Sequence, residues 1–330
     1  MKIAITSNLR TRETEDQAEF DSLETIDFMS RNLKDLGHEV KFIELTRPLT
    51  EVIKDLQNYQ PDLIFNTSEG TKGKYRESFW PGIFEELGLI YTGSDPFTLA
   101  LSLDKNLTKE IVAKQGVPTP RAEMVYPGLL PSLNHLHFPI IAKPNYEGSS
   151  KGITQDSVIE NLETLQKRLP EMLQKYPDGI LIEEYIFGKD ITIPFLENLE
   201  DPILDVVEYV IDPEFSKKIR YQIYDYEMKN NFYDSVNIQI ANLDEKLQQQ
   251  IKEISQKIIK GINCRDLGRM DFRLTPDGKI YFLEINCLPY LDEGVSLYLA
   301  AEKRGLSTKE VFNHIIQSAI KRKTQTFSRV

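Results

Sequence analysis

The sequence predicts an α/β protein whose C-terminal part turns to α+β. Three observations carry that expectation. Apolar strand-like runs alternate with helical stretches over the first 97 residues, a strand leads into a Gly/Ser-rich loop at Gly148, and a hairpin pattern fills Gly268 to Cys287.

Lys2 to Thr6 reads as a short apolar strand. A polar loop through Asp16 follows, then a helical pattern from about Ala18 to Leu36 that Gly37 stops. A second strand is expected at Glu39 to Leu45, a helix near Thr50 to Asn58, and a third strand at Leu63 to Asn66. A further helix, Trp80 to Leu87, ends at Gly88 before Ile90-Tyr91. Strands alternating with helices imply a parallel sheet with covered faces, so residues 1–97 read as a small Rossmann-like unit. Leu99 to Gln115 is helical in pattern and is stopped by Gly116, Pro118 and Pro120. Strand signals recur at Pro139 to Lys143 and Gly179 to Tyr185, flanking a helix from about Val158 to Lys175. Beyond Phe187 come longer strands, a helix from Asp244 to Gly261, the hairpin, and a last helix near Thr308 to Lys321.

With 330 residues, 40% of them hydrophobic, the chain can bury cores in two or three domains. A net charge of −11 argues against a nucleic-acid partner, which calls for a basic face. Cys264 and Cys287 form no metal-spaced cluster and fit a reducing compartment. Met1 runs directly into a strand without a charged leader or apolar h-region, and no run reaches the ~18 apolar residues of a membrane span. A cytoplasmic protein with no membrane partner is expected. There are no internal repeats or low-complexity tracts.

The string GRMDFRLTPDGKIYFLEINC holds the densest chemistry. Pro276-Asp277-Gly278 is a turn between two apolar runs. Glu284 and Asn286 are two apart and share one face of their strand, with Asp271 across the hairpin and Arg269 two residues before it. Hard oxygen ligands without Cys or His suit Mg²⁺. In FPIIAKPNYEGSSKGI, a strand delivers Lys143 beside a loop of Gly148, Ser149, Ser150 and Gly152, whose backbone N–H groups can close on phosphate oxygens. It is not a Walker A motif. In ILIEEYIFGKDITIPFL, an apolar strand ends at Glu183-Glu184 and continues to Asp190, a plausible reader of adenine and ribose. Each pattern alone also has a plainer reading: a solvated hairpin, a surface turn with a stretched lysine, and a core strand with exposed acids.

In order, these strings resemble the ATP-grasp superfamily, and within it the D-alanine–D-alanine ligase family. IYTGSDPFTLALSLDKNLTKEIV (Ile90 to Val112), EEYIFGKDITI and YDYEMK (Tyr224 to Lys229) carry the likeness further along the chain. The resemblance implies an ATP-grasp fold: an N-terminal Rossmann-like domain over 1–97, a central lid domain with the phosphate loop over 98–186, and a C-terminal catalytic domain with the metal sites over 187–330. It implies ATP as cofactor with two Mg²⁺ ions, Mn²⁺ being the alternative, and a homodimer. Lys105 and Lys143 resemble the two lysines that grip the α- and β-phosphates. Glu183 is similar to the acid that receives the adenine amino group, framed by the backbone of Glu184 and Ile186, and Asp190 to the acid on the ribose. Asp271, Glu284 and Asn286 resemble the metal ligands, and Arg269 the guanidinium that stabilises the reacting carboxyl. Ser149 and Ser150 resemble loop residues on substrate and γ-phosphate. The serine loop and Tyr221 to Tyr233, which includes Lys229, are the expected lids.

The acceptor half departs from the family pattern. The His-Gly…Gly-Glu-Asp-Gly loop is replaced by NTSEGTKGKYRESFWPG, Asn66 to Gly82. A tyrosine that helps set the second-substrate pocket gives way to Asn230, and CLPYLDEGVS, Cys287 to Ser296, brings in Asp292 and Glu293. Those acids suggest a basic or hydroxylated acceptor, or simply a solvated rim. A backbone N–H at Tyr290 can still serve the intermediate. Glu19 resembles the acid for the first substrate's ammonium, with Asp21 as rival, and Lys229 and Ser296 are candidates for the acceptor carboxylate. The expectation is therefore an ATP-dependent carboxylate–amine ligase working through an acyl phosphate, with small-molecule amino-acid or amine and carboxylate substrates. D-Alanine–D-alanine ligation proper, a phosphotransferase and a non-catalytic ATP-binding module are the alternatives.

Overall fold

The computed structural model describes residues 1–129 and 131–327, with the side chains of 230, 231, 233 and 324–327 outside the description. In the N-terminal part β1 (Lys2–Ser7), α1 (Leu23–Asp35), β2 (Glu39–Glu44), α2 (Leu49–Tyr59), β3 (Leu63–Thr67) and α3 (Arg76–Glu86) follow one another. The strands pair in parallel in the order β2-β1-β3, with Ile3 opposite both Val40 and Leu63. A parallel bridge from Ile64 to Tyr91 extends the sheet. Ile3, Ile5 and Phe65 face α1 and the C-terminal helices, while Ala4 and Ile64 face the α2 and α3 side, so both faces are covered as expected.

Two boundaries move for local reasons. α1 starts at Leu23, not near Ala18, because Asp21 is tied into the sheet end: its N–H donates to the Asn8 carbonyl at 3.0 Å and its carboxylate accepts from the Ser7 and Thr67 hydroxyls. Ser22 then caps the helix by accepting from the Thr25 N–H. α3 begins at Arg76 and carries Pro81 inside it. A proline reads from sequence as a first-turn residue, which is why Trp80 looked like the start.

The expected helix at 99–115 is two helices, α4 (Pro96–Leu103) and α5 (Lys105–Ala113). Asp104 between them is extended and caps α5 through the Leu107 N–H at 3.0 Å. That break sets Lys105 at the first position of a helix. Next come β4 (Ala122–Val125), β5 (Ile140–Pro144), β6 (Val158–Ile159), α6 (Leu162–Lys175) and β7 (Ile180–Glu184), an antiparallel sheet ordered β4-β7-β5-β6 with α6 packed on it. Val158 and Ile159 pair with β5, so the helix expected from Val158 waits for its Asn161 cap.

The remainder holds β8 (Lys189–Leu196), β9 (Val207–Ile211), α7 (Pro213–Ser216), α8 (Tyr226–Asn231), β10 (Val236–Ile240), α9 (Glu245–Ile262), β11 (Leu267–Leu274), β12 (Ile280–Asn286), α10 (Ser296–Glu302) and α11 (Thr308–Phe327). Its antiparallel sheet runs β10-β9-β8-β11-β12. Ile193, Phe272 and Phe282 form its core with Ile258 of α9. Phe65 of the first sheet stacks on Phe312 of α11, ring centres 5.3 Å apart, so the N-terminal and C-terminal parts share one apolar core. No helix among the described residues is long and apolar enough to cross a membrane.

Candidate active site

The expected hairpin forms, with Asp271 across from the second strand. Arg269 lies opposite Asn286 and Asp271 opposite Glu284, with a bulge after Asp271, and Gly278 takes the left-handed φ of +80° that closes the turn. Arg269 grips Asp271 through two guanidinium nitrogens (Nε–Oδ1 3.0 Å, Nη2–Oδ2 2.8 Å), and the Thr192 hydroxyl donates to the same carboxylate at 2.6 Å. The Asn286 Oδ1 accepts from the Leu288 N–H. The strands thus hold three oxygen-bearing side chains side by side on a rigid ladder.

Cations gather against Glu284. Lys105 approaches its carboxylate to 3.3 Å. Burial would raise the Glu284 carboxyl, but Lys105, Lys143, Arg269 and Lys109 outweigh it and hold its pKa at about 2. Lys143, on β5, and Lys109, one turn beyond Lys105 on α5, both meet Glu183 on β7, Lys143 at 2.7 Å. Glu183 is 1% exposed. Its carboxylate is therefore committed to two lysines, and the cavity wall beside it is formed by Glu184, Tyr185 and Ile186. Asp190 lines the same cavity and accepts from Arg273 at 2.7 Å.

Ser149 and Ser150 both take left-handed backbone conformations, φ 48° and 58°, so two non-glycine residues in a row are held in a region they rarely adopt. Tyr224 supports the second by accepting from the Ser150 hydroxyl at 3.0 Å, and Lys229 Nζ lies 3.4 Å from Ser149 Oγ. Burial first, and then Arg269, push Lys229 down to about 8. The 221–233 segment and the serine loop therefore meet. The side chain of Asn230 lies outside the described residues.

Two cavities converge here, one of about 590 Å³ beside Lys143, Ile186 and Asp190, the other of about 580 Å³ beside Glu19, Lys105 and Asn286. Ser149, Lys229, Arg269, Glu284, Tyr290 and Asp292 line both. Ser296 opens α10 at the wall of the first. Of the two candidate acids, Glu19 faces the second cavity, whereas Asp21 is buried at the sheet end, its carboxyl raised by burial to about 6. Glu19 is clamped by Arg76 at 3.0 Å and Lys151 at 2.6 Å. Burial works against its charge, yet those two cations keep its carboxyl below the usual range.

Sequence reasoning missed Arg76, Lys151, Lys109 and Arg273. Lys109 carried a signal, being four residues after Lys105 and so on the same helix face. Arg76 carried none, because only the fold brings it across to Glu19.

The family model described as D-ala D-ala ligase C-terminus matches residues 129–317. A D-alanine–D-alanine ligase from Aquifex aeolicus (strain VF5) is 33% identical, covering 89% of this chain and 94% of the relative. The D-alanine–D-alanine ligase of Bacillus anthracis, solved with ATP, shares the fold at a TM-score of 0.80 and 21% identity, covering 99% of both chains. The VanG D-Ala:D-Ser ligase of Enterococcus faecalis does so at 0.72 and 20%, covering 96% of this chain and 99% of its own. The chain belongs to the D-alanine–D-alanine ligase family, ATP-grasp ligases that form a peptide bond.

Proposed function

We propose that this protein activates an amino-acid carboxylate with ATP and couples it to a second amino acid or amine, releasing ADP and phosphate. The observation that carries this reading is the set of six residues common to both cavities: nucleotide and amino-acid substrates placed in them would meet at Arg269, Glu284, Ser149 and Lys229.

The first cavity suits the nucleotide, with Ile186 and Glu184 along the base, Asp190 at the ribose, and Lys143, Lys105 and Ser150 toward the phosphates. The donor set at the hairpin fits Mg²⁺: all three side chains offer oxygen, and Glu284 stays ionised. Asp271, Glu284 and Asn286 would hold two such ions, or Mn²⁺, which when bound neutralise charge on the triphosphate. The carboxylate substrate attacks the γ-phosphorus, and Arg269 and the lysines offset the charge that spreads over the phosphoryl oxygens. The amine then attacks the acyl carbon, and Arg269 with the Tyr290 backbone N–H faces the oxyanion. Collapse breaks the C–O bond and phosphate departs. The serine loop and the α8 segment exclude water that would hydrolyse the acyl phosphate. Glu19 serves the first substrate's ammonium, and Lys229 with Ser296 the acceptor carboxylate.

ADP release from the purified protein with Mg²⁺-ATP, measured against single D- and L-amino acids and their pairs with mass spectrometry of products, tests this. Release that comes with an amide product, from a pair or from one amino acid filling both roles, supports it. Release without an amide, or none at all, would support a phosphotransferase or a binding module.

A further inference from the structure

The second cavity contains acidic side chains that the coupling reaction does not use. Glu69, just after β3, and Glu77, in the first turn of α3, bring their carboxylate oxygens within 4.8 Å of each other and of Glu19. Glu19 is held in place by Arg76 and Lys151, which also reach Glu147. The Arg76 guanidinium is spent on Glu19 and on the Tyr146 carbonyl at 2.7 Å. Glu77 is 8% exposed, lines the cavity, and among the described residues accepts no hydrogen bond and joins no ion pair. Glu69 lines the same wall and is equally without a partner. Buried Glu77 and half-buried Glu69 stand open toward the cavity, and acids so placed either keep a proton or take a cation as partner. Burial already pushes both carboxyls up, Glu77 to about 7 and Glu69 well above the ordinary range with Glu77 adding to the effect.

Ser149, Lys229, Arg269 and Asn286 line the same cavity, so the acid pair and the reacting centre open into one space. We infer that Glu69 and Glu77 bind a second positive group on the amino-acid substrate held in this cavity, so that the protein takes diamino acids in preference to neutral ones. This rests on the ligase reading given above. A divalent ion is the rival occupant, but Arg76 and Lys151 lie in the same cluster and repel a double charge more than a single ammonium, and an ammonium offers three donors to the two free carboxylates.

Calorimetric titration of the intact protein, loaded with Mg²⁺ and a non-hydrolysable ATP analogue, compares 2,4-diaminobutyrate with norvaline, which differs only by a methyl in place of the ammonium. Wild type should bind the diamino acid about tenfold tighter or more, and Glu77→Gln and Glu69→Gln should each bring the two ligands to within about twofold. Equal binding by wild type, or a preference kept in both variants, would overturn the inference. So would binding of Mg²⁺ or Zn²⁺ alone, without nucleotide, that Glu77→Gln abolishes. Glu77 has no partner to lose, so its Gln variant should fold with a Tm no lower than wild type, and Glu69→Gln gives an independent reading. Amide formed equally well from neutral and diamino acids removes this inference and leaves the ligase standing. No amide from any pair removes the ligase reading, while the calorimetry still decides what the acids bind.

Discussion

Glu284 sits where the charges of Lys105, Lys143, Arg269 and Lys109 converge, and Lys105 pairs with it directly at 3.3 Å. Glu284→Ala should cut ADP release about a thousandfold or more with every substrate pair while the protein still folds, as measured by steady-state turnover beside a thermal melt. Lys229 makes a different kind of test. Its ammonium loses its proton near pH 8, so if it holds an acceptor carboxylate, the acceptor KM should climb above that pH. Lys229→Arg, which keeps its charge, should move that rise beyond pH 9.5; a KM profile identical to wild type would remove Lys229 from acceptor binding. At this scale the hairpin residues were legible because strand alternation fixes which side chains share a face. The Glu19, Arg76 and Lys151 clamp was not, since its members lie 57 and 132 residues from Glu19 and no local pattern links them.

Among the elements, the loop between β3 and α3 decides what the second cavity contains. Gly70 has φ +68°, and a Cβ there would meet the Arg76 carbonyl oxygen at 2.3 Å. The loop folds back this closely only because that residue lacks a side chain, and the fold-back is what carries Arg76 to Glu19 and Glu77 to the cavity. Gly70→Ala should therefore cost about 2 kcal/mol in urea unfolding and weaken amino-acid binding more than nucleotide binding. Unchanged stability would mean the loop has another conformation open to it. The alternating strands and helices of 1–97 were readable because buried parallel strands make short apolar runs between turn signals. The split of α4 from α5 was not: Asp104 looks like an ordinary helix residue, and its role as a cap depends on Asn145, which donates to it at 2.8 Å from a distant strand end.

For the whole molecule, buried acids set the pH dependence of stability. Asp21 and Glu77 titrate at about 6 and about 7 in the folded protein, against about 4 in an unfolded chain. Between those values the folded state holds protons that the unfolded chain has released, so stability falls as pH rises from 4 to 7. Glu284 acts in the opposite sense, contributing above its unfolded pKa and losing that contribution as pH falls toward 2. Without ligands, Tm should decline from pH 5 to 8, and Glu77→Gln should flatten the decline; a slope equal to wild type would mean Glu77 is not held uncharged by its surroundings. The family and its ATP-binding half could be read from ordered strings along the chain, because phosphate and metal chemistry constrain residue types at fixed positions. What fills the amino-acid cavity could not, because that wall is assembled from loops the fold brings together.

The central claim is that the γ-phosphoryl group is carried by the substrate's own carboxylate before the amine attacks. Supplying the first substrate with both carboxylate oxygens labelled as ¹⁸O tests it directly. Each phosphate released should carry one labelled oxygen, because the C–O bond breaks when the amide forms. Unlabelled phosphate alongside amide product would contradict the account.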